Sequence, residues 1–138
     1  MLQGKNIVII GGTSGIGLSA ARYFVQNGAR LVVLGMNPEV ADQAGAILGK
    51  EVIVVKADAR EENSAGKAIE ACVTHFGSLN GLYHVAGGSG RKMGDGALHE
   101  LSLEGWNKTF ELNLTSLMLS NRAAVQDRKS TRLNSSHT

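Results

Sequence analysis

Cysteine is nearly absent from this chain of 138 residues, and so are any large excess of charge and any long apolar run. The single Cys72 excludes an internal disulfide framework and suits a reducing cytoplasm, which is the expected location. No apolar stretch approaches the length of a membrane span, and Met1 leads straight into a strand without a signal-peptide pattern, so no membrane partner is expected. The formal charge of +2 invites a nucleic-acid reading, but Arg128, Lys129 and Arg132 against Asp127 account for all of it. Residues 1–126 hold 11 basic and 11 acidic side chains, and a neutral body argues against nucleic acid. Internal repeats and low-complexity stretches are missing, no metal is expected, and the length allows one domain at most.

What is present is organised around residues 7–17, Ile-Val-Ile-Ile-Gly-Gly-Thr-Ser-Gly-Ile-Gly. Four consecutive β-branched residues predict a strand buried on both faces, and the glycine cluster predicts a tight turn opening a helix at Ile16. Such a turn gathers unpaired backbone N–H groups and the positive end of the helix dipole at one point, where a pyrophosphate can sit. An ordinary strand-to-helix turn would look much the same, so the rest of the chain has to decide.

Along the chain, strands are expected at residues 5–11, 30–34, 51–56 and 79–86. Helices are expected from Ile16 to Asn27, from Pro38 after an Asn37 cap, from Glu61 to Phe76, and over residues 102–126. Ile16, Ala20, Tyr23, Phe24 and Asn27 mark one face of the first helix. Gly87 to Gly96 reads as a mobile loop leaving the carboxyl end of the fourth strand. Its Arg91 and Lys92 are either a solvated tip or a contact for an anion. In the last helix Trp106, Phe110, Asn113, Leu114, Leu117, Met118 and Asn121 recur at helical spacing, which places Asn113 inside an apolar stripe, where an unpaired amide is costly. The alternation predicts an α/β fold, a Rossmann-like doubly wound parallel sheet that breaks off after about four strands and four helices.

The spacing Gly11, Gly15, Gly17 resembles the opening motif of the short-chain dehydrogenase/reductase family, with Ile10 in the place of that family's usual Thr. The resemblance extends over residues 5–126 through Asp58, Ala86-Gly87 and the segment from Phe110 to Ser116. It implies a site for a nicotinamide dinucleotide formed by Gly11, Thr13, Ser14, Gly15, Ile16 and Gly17, by Met36 and Asn37 after the second strand, by Asp58 and Ala59 after the third, and by Ala86 and Gly87 after the fourth. Asp58 would accept from the adenine amino group, or merely start the turn into the next helix; the two roles are compatible. Arg60, Glu61 and Glu62 read as a solvated helix start. At the second strand end, Gly35 replaces the acid that would favour NAD, and Met36 stands where many NADP-using relatives have Arg, so the balance favours NADP(H) over NAD(H). His84 and Val85 replace the family's two asparagines, and His84 is read either as a hydrogen-bonded structural residue or as a general base.

Asn113 resembles the asparagine that helps hold a catalytic lysine through water and is the one catalytic candidate. Relatives continue to a catalytic Ser and a Tyr-x-x-x-Lys; neither Tyr23 nor Tyr83 is followed by Lys at the fourth position. The resemblance therefore implies a parent NAD(P)-dependent oxidoreductase acting on a small-molecule carbonyl or alcohol, a homo-oligomer in which residues 1–126 form the cofactor-binding half, inactive alone. A non-catalytic NADP-sensing module and a structural or interaction protein are the alternatives. Residues 127–138 lack glycine and apolar period, and their back-translation resembles a sequencing adapter, so a non-native or disordered tail is expected there.

Overall fold

Ile7, Val8, Ile9 and Ile10 leave almost none of their surface in water, which is possible only if helices cover both faces of their strand. The computed structural model describes the backbone of residues 1–136 and the side chains of residues 1–131. Its order is β1 (Asn6–Ile10), α1 (Gly15–Gln26), β2 (Arg30–Gly35), α2 (Pro38–Leu48), β3 (Ile53–Lys56), α3 (Ser64–Phe76), β4 (Gly81–His84), a 3-10 turn (Arg91–Met93), α4 (Leu103–Phe110), a π-helical turn (Glu111–Thr115) and α5 (Ser116–Ser136). All pairings are parallel, in the sheet order β3-β2-β1-β4. This is the expected doubly wound α/β arrangement. Among the described residues, β4 is paired only on its β1 side.

Strand alternation sorts the core into two layers. Val8, Ile10, Val32 and Leu34 pack against Ala65, Ala68, Ile69 and Cys72 of α3, with Ala123 of α5 alongside. Ile7, Ile9, Leu31 and Val33 pack on the other face against Ala21 and Leu48. Each fully buried Ile or Leu contributes roughly 1.5–3 kcal/mol relative to exposure. The eight strand residues therefore carry most of the cohesion. Local signals agree with them: the Asn37 side chain accepts from Val40 N at 3.1 Å and Pro38 opens α2, where its missing N–H costs nothing.

Four expectations change. The inward side of α1 is Gly17, Leu18, Ala21 and Phe24, whereas Ile16 and Tyr23 are exposed; the need to seat Gly17 against the preceding turn fixes the rotation of the helix. The long last helix is interrupted by the π-helical turn at Glu111–Thr115. Its stripe also faces outward: Trp106, Phe110, Leu114, Leu117 and Met118 are exposed, while Ser116, Leu119 and Ser120 are buried. The inner face is the small, hydroxyl-bearing one because it has to meet His84. Finally, α5 runs on to Ser136, ten residues beyond the expected end at Gln126, with Arg128 to Thr131 exposed. His137, Thr138 and the side chains from Arg132 onward lie outside the described residues.

The loop after β4 is tied down rather than free. Asp95 N donates to Gly90 O at 3.1 Å, Ser102 N to Gly94 O at 3.2 Å, and a Cβ on Gly105 would run into the Gly94 main chain. Gly90 and Gly94 serve close packing against α4 and its cap, where a Cβ would meet Thr109 and Ser102.

The outward stripe yields a prediction. Leu114→Gln combined with Met118→Gln should change unfolding free energy by no more than about 0.5 kcal/mol, as for other surface positions, while reducing concentration-dependent association. Denaturant titration and sedimentation velocity measure the two effects. A loss of several kcal/mol would mean that the stripe is buried after all.

Candidate functional site

At the carboxyl edge of the sheet the chain leaves β1 through a turn that has almost no room for side chains. Gly11 N and Gly12 N both donate to Leu34 O, at 2.8 and 3.1 Å, which draws the turn across the end of β2. Gly11 has φ +90°, and a Cβ there would lie 2.6 Å from Ala86 N. A Cβ on Gly17 would strike the Gly11 carbonyl, and one on Gly12 would come within 2.8 Å of Val33 Cβ. Thr13 is buried with its side chain over Gly35. These glycines bring β1, β2, α1 and the end of β4 to their closest approach.

Gly15 differs from the others: it has φ +52°, and a Cβ there would meet nothing within 4 Å. It opens α1 after Ser14, whose extended backbone caps the helix while its hydroxyl makes no capping bond. The first N–H groups of a helix have no partner within it, so those of Gly15, Ile16 and Gly17 stand unpaired at the positive end of the helix dipole, next to the open side of Gly15. A cradle of donors in front of empty volume fits a pyrophosphate. A larger cleft of about 910 Å³ opens at the opposite edge, lined by Gly28, Ala29, Val52 and Phe76 among others. It is remote from these donors.

Next to the cradle stand the ends of β2 and β3. Gly35 is buried beneath Thr13, so it does not present a side-chain position to a ribose. Met36 is exposed beside it, and Asn37 has committed its side-chain oxygen to Val40, leaving its amide donors for a ligand. Asp58 does not wait with a free carboxylate. Arg60 folds back on it, with Nη2 at 2.7 Å from Oδ2, Nε at 3.0 and 3.1 Å from the two oxygens, and the Arg60 main-chain N at 2.9 Å from Oδ1. Hydrogen bonding from Arg60 holds the Asp58 carboxyl below its usual range, and the same contact raises the guanidinium. The solvated helix start expected at Arg60 is thus corrected: two residues along the turn from an acid, the fork closes on it. Ala59 lines the same turn, half-buried.

The end of β4 is held from beneath and from the side. His84 Nε2 lies 2.9 Å from Ala86 O, so this nitrogen carries the proton and Nδ1 accepts from Ser120 Oγ at 2.8 Å. Ser116 Oγ donates to Leu112 O at 2.7 Å and stands 3.4 Å from Nε2. Burial depresses the His84 pKa, with the bond to Ala86 opposing it. Of the two roles left open by the sequence, this geometry is that of the hydrogen-bonded residue. Asn113 is exposed rather than buried in an apolar stripe, yet fully engaged: Oδ1 accepts from Gly88 N at 2.9 Å, and Nδ2 donates to Gly88 O at 2.7 Å and Thr109 O at 3.0 Å. A Cβ on Gly87 would lie 2.7 Å from that Oδ1. Asn113 sits in the middle of the π-helical turn, a distortion often found at functional sites. Arg91 and Lys92 are exposed on the loop beyond.

The structure therefore brings Gly11, Thr13, Ser14, Gly15, Ile16, Gly17, Met36, Asn37, Asp58, Ala59, Ala86 and Gly87 to one sheet edge, with Asn113 bracing Gly88 behind the last of them. Sequence reasoning missed the Arg60 fork and the hydroxyls of Ser116 and Ser120. The signal for Arg60 was its spacing of two from Asp58. For the serines it was their spacing of four on one helix face.

Two predictions test this geometry. Gly15→Ala should fold, at a strain cost of roughly 1 kcal/mol for a non-glycine residue at positive φ, whereas Gly17→Ala should lower the melting temperature severely because the Gly11 carbonyl cannot retreat. Equal stabilities in thermal melts would refute the packing role of Gly17. For His84, a folded-state pKa below the unfolded value of about 6.5 means that the unfolded chain binds the proton first. The stability held by neutral His84 is present above that pH and is lost as pH falls below it. His84→Asn should remove that part of the pH dependence between pH 7 and 5, measured by urea titration; an unchanged slope would exclude His84 as its source.

Comparison with known proteins agrees with the geometry. The family described as short chain dehydrogenase matches residues 5–132. The 2,5-dichloro-2,5-cyclohexadiene-1,4-diol dehydrogenase LinX of Sphingobium indicum is 34% identical over 129 residues, covering 91% of this chain and 50% of that protein. An NADP-dependent (R)-specific alcohol dehydrogenase of Lentilactobacillus kefiri is 29% identical over 137 residues, covering 98% of this chain and 53% of that protein. Among solved structures, a short-chain dehydrogenase/reductase from Serratia marcescens superposes with TM-score 0.81 at 25% identity, covering 91% and 51% of the two chains. The 3-ketoacyl-(acyl-carrier-protein) reductase of Brucella melitensis, complexed with NADH, superposes with TM-score 0.84 at 23% identity, covering 98% and 55%; at that identity the likeness is one of fold. The chain spans about half the length of the relatives it matches. With a parallel β3-β2-β1-β4 sheet, a glycine cradle at its carboxyl edge and a family match over nearly its whole length, this chain belongs to the short-chain dehydrogenase family.

Proposed function

We propose that this chain is the cofactor-binding half of an NAD(P)-dependent oxidoreductase that moves a hydride between nicotinamide and a small carbonyl or alcohol, with NADP(H) preferred over NAD(H). The observation that carries the reading is the sterically open side of Gly15 at the start of α1, next to the close contacts of Gly11 and Gly17. The names of the relatives point the same way: two are dehydrogenases, one of them NADP-dependent, and a reductase of the same fold was crystallised with NADH.

In this reading the cofactor supplies the hydride chemistry, and the protein supplies binding, orientation and proton control. The N–H groups of Gly15, Ile16 and Gly17 and the Ser14 hydroxyl bind the pyrophosphate. Thr13, by packing over Gly35, fixes the loop against β2. Met36, Asn37, Asp58 and Ala59 receive the adenosine end, and Ala86 and Gly87 let the nicotinamide-side ribose pass close to the main chain. Asn113 is a positioning residue: through Gly88 it sets the loop that follows β4, and it would brace a lysine supplied by further chain. The two tyrosines are Tyr23 and Tyr83, and neither begins a Tyr-x-x-x-Lys. The proton donor therefore has to come from beyond these residues, as does the substrate pocket, and the outward stripe of α4 and α5 serves the homo-oligomer of the parent. Residues 127–138 are then non-native sequence, and a cytoplasmic setting goes with the reading. An NADP sensor without chemistry is the second reading, and the parent gene beyond Gln126 separates the two.

The expected outcome is binding without turnover. Titration of the chain with NADPH and NADH, followed by nicotinamide fluorescence, should show saturable binding, and no NAD(P)H-linked turnover should be seen with any carbonyl substrate. The parent extended through its own Ser and Tyr-x-x-x-Lys should turn over. Failure of both cofactors to bind would overturn the proposal, and a parent without those residues would favour the sensor.

A further inference from the structure

We propose that Arg60 is the cation that recognises the 2′-phosphate of NADP, and that Asp58 holds it in reserve until the nucleotide arrives. The inference rests on the cofactor reading above and adds the residue that sets the choice between the two cofactors.

The second strand end has no cation of its own, but the third lends it one. Arg60 Nη2 lies 3.9 Å from Met36 Sδ, so the guanidinium already reaches the side chain that follows β2. Ser14 and Asn37 flank the same strand ends with a hydroxyl and an amide. A phosphate monoester carries a charge of about −1.5 to −2 and three strong acceptor oxygens. The planar fork that grips a carboxylate matches phosphate equally well, and phosphate brings more charge.

Asp58 makes the arrangement an exchange. An ionised carboxylate offers about four lone-pair sites. Arg60 fills Oδ1 with its main-chain N and Nε, and Oδ2 with Nε and Nη2. An adenine amino group finds no vacant acceptor on Asp58 while the guanidinium stays. When a 2′-phosphate draws the guanidinium away, Oδ2 becomes free for the amino group, and both new contacts form together. NAD offers no phosphate, so it either leaves the pair intact and loses Asp58 or separates the pair without compensation. The side chains are only 26% and 22% exposed, so separation is costly when nothing replaces the partner and is offset when a phosphate does. The facing charges have both signs: Glu61 and Glu111 act on Arg60, and Lys108 acts on Asp58. The acids keep Arg60 ionised and oppose a phosphate, while Lys108 favours one.

The test uses the 138-residue chain and two probes of the adenosine half, adenosine 2′,5′-bisphosphate and 5′-AMP, titrated by calorimetry. Charge-assisted hydrogen bonds of the usual strength predict a preference of about tenfold or more for the bisphosphate. Arg60→Gln should bring the two dissociation constants together by weakening the bisphosphate, with 5′-AMP unchanged or tighter because Asp58 is released. Asp58→Asn should preserve or raise the preference, since Arg60 is no longer held by a charge. Arg60→Lys, which keeps the charge without the fork, should retain part of it, and circular dichroism verifies that each variant is folded. Equal binding of the two probes to the wild-type chain, or an unchanged ratio in folded Arg60→Gln and Arg60→Lys, would overturn the role of Arg60 and leave the cofactor site standing. No binding of either probe would overturn the cofactor site itself, and this inference with it.

Discussion

The structure depends on a contact between two pieces of main chain. Gly17, in the first turn of α1, rests on the Gly11 carbonyl, and Gly11 in turn leaves no gap against Ala86 at the end of β4. Neither contact tolerates a Cβ. Together they fix how α1 is rotated, how far it stands from the sheet, and where its first N–H groups point. The exposure of Ile16 and the burial of Ala21 are consequences of that rotation. So is the open space before Gly15. Unpaired backbone donors are gathered here by packing alone, without any charged side chain in the loop.

A second constraint operates at the other end of the site. β4 ends in His84, a titratable residue in a position that the family resemblance gives to asparagine. The chain accommodates it by turning Ser116 and Ser120 inward from α5, and burial lowers the imidazole pKa. Hydroxyls on the inner face displace the larger apolar side chains to the outer one. The exposed stripe from Trp106 to Met118 and the polar anchoring of His84 are therefore two sides of one choice of helix rotation. The π-helical turn between α4 and α5 lets Asn113 reach Gly88 while Ser116 and Ser120 still face His84.

Electrostatics after β3 follow from short-range geometry in the same way. Asp58 and Arg60 are two residues apart on a turn, close enough for a fork-to-carboxylate pair before α3 begins. Their neighbourhood is otherwise mixed in sign. The turn after β3 therefore presents a closed ion pair, and the free acceptor that a linear reading of Asp58 suggests is absent.

The sequence by itself determined the parallel alternation of strands and helices, because runs such as Ile7–Ile10 and Leu31–Leu34 are apolar on both faces and can only lie in a covered sheet. It also determined the place of the glycine cradle and the order of the segments that meet at the carboxyl edge, since glycine spacing and strand ends are local properties. Tertiary structure alone decided which face of each helix turns inward, because rotation is set by contacts that hydropathy does not report: Gly17 on the Gly11 carbonyl across the turn, and Ser120 on His84, 36 residues away. The same holds for the buried position of Gly35 under Thr13. It holds for the partner of Asn113, which hydropathy placed in an apolar stripe and which instead bonds to the main chain of Gly88, 25 residues away. Periodicity reports that a helix has two unlike faces; only the neighbours that fill the space beside it decide which one is buried.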